Sequence, residues 1–81
     1  MTMEINQLRR NVSSQIYIRR NNMGLSQKQL AKLVGVSVVQ IVNWENRKFM
    51  PKAFTLCNLA DVFCCTVDEL LGRTDDDKRR V

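Results

Sequence analysis

The chain has no histidine. That removes the side chain most often used as a general base near neutral pH and as a zinc ligand. Cys57, Cys64 and Cys65 follow no zinc-binding spacing and have no base partner. An odd number of cysteines, two of them adjacent, argues against a disulfide framework and suits a reducing compartment. They read instead as small core residues, since buried free cysteine packs like a small hydrophobe. No apolar run reaches the roughly 18 residues that a membrane span needs, and the N-terminus lacks the apolar block of a secretory signal. A cytoplasmic location is therefore expected, with no membrane contact. With no phosphate-binding loop and no carboxylate pair in an evident pocket, nothing resembles a catalytic constellation. No enzyme activity, cofactor, metal or small-molecule substrate is implied. No strand pattern or internal repeat stands out either.

Acidic residues are scarce in one part of the chain. Residues 1–52 hold nine Lys/Arg and two acids, whereas residues 53–81 hold four and six, giving a net charge of +5 over 81 residues. The basic part suits a polyanion, because Lys/Arg that neutralise phosphates release condensed counterions. A basic run on its own is equally well a solvated face. A chain of this length makes one small domain. Residues 1–72 are expected to fold, and residues 73–81, RTDDDKRRV, to form a charged, disordered tail.

The most informative stretch is SQKQLAKLVGVSVVQIVNWE, residues 26–45. Ser26 with Gln29, and Ser37 with Gln40, are two capping-box signals. Leu25 can staple onto Leu30, and Leu30, Ala31, Leu33 and Val34 recur at helical spacing as an inward stripe. Ala31 is small where a second helix must cross closely. Gly35 then supplies the left-handed exit that a Cβ disfavours. The pattern is helix, tight turn, helix, over residues 26–46.

Around this pair the chain reads as all-α with five helices. Ile5, Leu8, Val12, Ile16 and Tyr17 or Ile18 mark a first helix over residues 4–22. Pro51 suits the first position of a fourth, with Leu56, Leu59, Ala60 and Phe63 inward. Thr66 with Glu69 opens a fifth before Val67, Leu70 and Leu71, and Gly72 closes it.

The second helix of the pair has two unlike sides. At about 100° per residue from Val38, positions 41, 44 and 45 fall near 300°, 240° and 340°. Ile41 and Trp44 thus face the core, and Trp44 reads as a packing anchor rather than a base-stacking platform. Val38, Val39, Val42, Asn43 and Asn46 face outward together. Three outward valines point to a partner. If that partner is DNA, valines can pack on thymine C5-methyl groups and Asn43 can pair with adenine N6 and N7, which favours an A·T-rich element. Phe49, Phe54 and Phe63 read as core or linker packing. Arg9-Arg10 and Lys78-Arg79-Arg80 read as solvated charge, against a share in diffuse attraction to DNA.

From about Ile18 to Leu71 the chain resembles the phage-repressor and Cro-like (XRE-type) helix-turn-helix family of DNA-binding domains. The resemblance rests on Gln27, Leu30, Ala31, Val34, Gly35, Val36, Ser37, Ile41, Trp44 and Glu45, then Pro51, Leu56, Leu59-Ala60 and Val67-Asp68-Glu69-Leu70-Leu71. It implies a compact five-helix, lambda-repressor-like domain whose third helix enters the major groove. Val38, Val39, Val42 and Asn43 would then read bases. Gln27, Lys28, Ser37, Asn46, Arg47 and Lys48 would hold phosphates, which orients a helix without reading sequence. Arg20 and Glu45 resemble the family's structural ion pair. The chain departs from the family at Arg47 and Cys64, where relatives often carry glycine, so Asn46 or Arg47 must adopt the left-handed cap.

Two functional classes follow. The first is a sequence-specific transcriptional regulator, expected to be a repressor that occupies a palindromic operator in double-stranded DNA as a homodimer. The second is a protein-interaction module that uses the same fold and docks through its valine face.

Overall fold

Three helix starts are closed by the same reciprocal device. Ser26, Ser37 and Thr66 each accept a hydrogen bond from the backbone N–H three residues on, and the Gln29, Gln40 and Glu69 side chains each accept one from the cap's own N–H. Each cap residue is extended, which turns the chain into the first helical turn. A computed structural model describes residues 4–73. Among these lie α1 (Ile5–Asn22), α2 (Gln27–Val34), α3 (Val38–Glu45), α4 (Ala53–Phe63) and α5 (Val67–Leu71), with no strand. Most of the tail expected at residues 73–81 lies outside the described residues.

The helix exits are equally regular. Past α3, the Arg47 N–H donates to the Trp44 carbonyl and the Lys48 N–H to that of Asn43. Past α4, Cys64 and Cys65 repeat this geometry on Asp61 and Ala60. Both exits need a left-handed residue, and the chain uses non-glycine residues there, Arg47 at φ 65° and Cys64 at φ 55°. Asn46 stays at φ −92°, so Arg47 carries the turn. Gly35 at φ 80° makes the tight exit from α2.

The core gathers one stripe from each helix. Val12 and Ile16 of α1, Leu30, Ala31 and Val34 of α2, Ile41 and Trp44 of α3, Leu56, Leu59, Ala60 and Phe63 of α4, and Leu70 of α5 are buried together. α1 packs on α3 and α5, α2 on α3 and α4, and α4 on α5. Leu25 packs against this core just ahead of the α2 cap.

Several side chains assigned inward by local periodicity lie outside. Leu33 is exposed because α3 and α4 cover only the Leu30, Ala31 and Val34 side of α2. Ile5, Tyr17 and Ile18 are exposed because α1 buries the narrow strip Val12, Ser13, Ile16 and Arg20. Phe54, 77% exposed, and Phe49 lie on the surface. Cys57 and Cys64 are also exposed, away from the α4 stripe, and only Cys65 is half-buried. Burial pushes the Cys65 thiol above its ordinary pKa. Pro51 does not open α4. Lys52 is the N-cap and Ala53 the first helical residue, while Pro51 is buried ahead of them.

Candidate nucleic-acid interface

α3 is locked to the domain on one side. Ile41 and Trp44 are buried. Next to them the Glu45 carboxylate meets Arg20 of α1, whose Nε donates to Oε2 at 2.7 Å and Nη2 to Oε1 at 3.1 Å. The two side chains are only 10% and 6% exposed. Arg20 Nη1 also donates to the Leu25 carbonyl at 2.8 Å, and its guanidinium lies 5.5 Å from the Tyr17 ring centre. The hydrogen bond to Glu45 raises the pKa of Arg20, outweighing the opposite effect of burial. Paired in this way, Glu45 puts no unbalanced charge on α3.

The opposite side is open. Val39 is 61% exposed, Val38 is exposed, and Val42 and Asn43 are half-buried. Asn46, Arg47 and Lys48 follow in an exposed run. A hollow of about 470 Å³ opens beside this side, between α3 and the start of α4. Trp44, Met50 and Pro51 line it together with Gln40, Asn43, Phe49, Lys52 and Thr55. The structure therefore brings Lys52, Thr55 and Gln40 beside Asn43, although periodicity gives none of them a binding role. Lys52 next to Pro51, at the mouth of a linker, was the available sequence signal.

The residues named for phosphate are placed differently from one another. Lys28, in the first turn of α2, is exposed. The Ser37 hydroxyl is engaged in its cap, accepting from the Gln40 N–H at 3.3 Å. Gln27 is half-buried, and its Nε2 donates to Glu45 Oε1 at 3.0 Å. Its amide nitrogen is turned toward the protein. Ser13 is a further residue that the sequence pattern passes over. Its hydroxyl donates to the Glu45 carbonyl at 2.7 Å and thereby satisfies one of the open carbonyls at the end of α3.

Residues 16–70, which span the α2–turn–α3 unit and the core helices around it, match the Helix-turn-helix family model. The chain belongs to the phage-repressor-like helix-turn-helix family. The P22 c2 repressor protein, solved in complex with a synthetic operator in the presence of Tl+, is 33% identical, with 78% of this chain and 96% of that chain covered and a TM-score of 0.74. The DNA-binding domain of the P22 c2 repressor in solution is 30% identical, with 95% and 99% covered and a TM-score of 0.65. No curated protein matches. In this helix-turn-helix domain α3 is the second helix of the motif, and the side away from Ile41 and Trp44 carries Val38, Val39, Val42 and Asn43. No described helix is long and apolar enough to cross a membrane.

Proposed function

We propose that this helix-turn-helix domain is a sequence-specific DNA-binding transcriptional regulator that acts as a repressor by occupying an operator, with α3 in the major groove. One observation carries the reading: α3 is anchored along its Ile41–Trp44–Glu45 side, while on its other side Val38 and Val39 are exposed and Val42 and Asn43 are half-buried. Val38, Val39 and Val42 meet thymine methyl groups, and Asn43 pairs with adenine. Lys28, Ser37, Asn46, Arg47 and Lys48 hold phosphates, joined by Lys52 and Thr55 at the hollow. The P22 c2 repressor's complex with a synthetic operator supports DNA as the partner. Gln27 belongs to the phosphate set too: one proton of its amide nitrogen is given to Glu45, and the second stays available to a phosphate.

An eight-residue helix reads only a few base pairs. A homodimer on a palindrome, with half-sites about 34 Å apart, supplies the rest. The site of action is the cytoplasm. Selection of bound duplexes from a random pool tests the reading. The wild type enriches an A·T-rich half-site, Asn43→Ala relaxes one base position, and Lys48→Ala weakens all sequences about equally. Featureless enrichment by the wild type refutes it.

A further inference from the structure

Four hydrogen bonds converge on Glu45, the last residue of α3. Ser13 donates to its carbonyl and Arg20 to both carboxylate oxygens, which ties the helix end to α1. The fourth comes from Nε2 of Gln27, the first residue of α2, and ties the same end to the start of the preceding helix.

A glutamine at this place can present one amide proton to a DNA phosphate and with the other fix the angle at which α3 leaves the turn. Here the nitrogen meets a charged oxygen that is shielded from water, where a donor contributes more than it does in open solvent. The turn at Gly35–Val36–Ser37 fixes one end of α3, and Glu45 lies at the other, about 12 Å away at 1.5 Å per residue. A bond at that end has the longest lever on the tilt of the helix.

We infer that Gln27 is a positioning residue for base reading: through Glu45 it sets the orientation of α3, and so contributes to discrimination between sequences beyond any contact it makes with the DNA backbone. The inference rests on α3 being the reading helix. Base-edge hydrogen bonds weaken steeply with small displacements, whereas long Lys and Arg side chains follow a phosphate as the helix shifts. Loss of the Gln27 bond therefore separates the two kinds of contact.

The test compares affinity for a selected duplex with affinity for a scrambled duplex of the same composition. Gln27→Met keeps the length of the stem but removes the donor. It lowers the ratio of selected to scrambled affinity about tenfold, over and above any loss common to both duplexes. Gln27→Lys returns a donor to Glu45 and brings the ratio back to within about threefold of wild type, although its added charge raises both affinities. Gln27→Glu sets carboxylate against carboxylate and lowers the ratio further than Gln27→Met does. Equal loss on both duplexes with Gln27→Met, or no loss on either, overturns the inference and leaves the DNA-binding reading intact. A wild-type chain with no preference among duplexes overturns the reading itself. Amide exchange in the free protein gives a second readout. Gln27→Met speeds exchange at Asn46, Arg47 and Lys48, which close the end of α3, and leaves the α4 amides unchanged. Equal acceleration in α4 marks general destabilisation and overturns the inference.

Discussion

Cys64 carries a conformation that glycine would carry with less strain. Its φ of 55° brings Cβ close to backbone, and the side chain is exposed, so no packing compensates. The left-handed penalty of about 1–2 kcal/mol is partly offset by the extra freedom that glycine gains in the unfolded chain. Cys64→Gly is expected to stabilise the domain by about 0.5–1 kcal/mol, a rise in Tm of several degrees on the scale of about 4–8 °C per kcal/mol. Thermal unfolding followed by circular dichroism checks it, and an unchanged or lower Tm contradicts it. Glu45 gives the opposite case. Glu45→Ala leaves the Arg20 charge buried without its partner and is expected to cost about 3–5 kcal/mol in urea unfolding. Replacing both residues by apolar ones of similar volume should recover most of that loss, since the cost comes from the uncompensated charge.

Local signals decide most of what is visible at the scale of an element. Ser26, Ser37 and Thr66, each with its glutamine or glutamate three residues on, mark three helix starts within a residue. Gly35 and Gly72 mark two of the ends. Ile41 and Trp44 were legible as inward because the pattern of α3 separates two clear sides. Leu33, Phe54 and the cysteines were not legible, because periodicity records that a residue is apolar and not which sides the neighbouring helices cover. The contacts of Glu45 with Ser13 and Gln27 join residues 32 and 18 positions apart, and no local pattern encodes them. The join of α1 and α5 is of the same kind. Asn11 Nδ2 donates to the Leu71 carbonyl at 3.0 Å, directly over Gly72. A Cβ on Gly72 would meet that nitrogen at 2.3 Å, on a backbone already at φ 79°. Gly72→Ala is expected to cost about 1–3 kcal/mol. Because the collision is with a side chain, Asn11→Ala in the same background should show coupling in a double-mutant cycle, and strict additivity would deny it.

Charge is organised at the scale of the whole molecule. Arg20 neutralises Glu45, the one ionisable side chain of α3, while Lys28, Arg47, Lys48 and Lys52 stand exposed around it. With four such cations on phosphates, log K against log salt should fall with a slope of about −3.6 for each bound copy, or about twice that for a dimer on a palindrome. Titration between about 50 and 200 mM salt measures it. A flat response would instead fit an apolar protein interface at the valine side.

The neutrality of α3 has a consequence for how the domain behaves as ionic conditions change. On the contacts proposed above, its grip is ionic and its vocabulary is not, since methyl packing and amide pairing exchange no counterions. Residence on DNA can therefore be lengthened or shortened by the surrounding electrolyte while the ranking of operators stays the same.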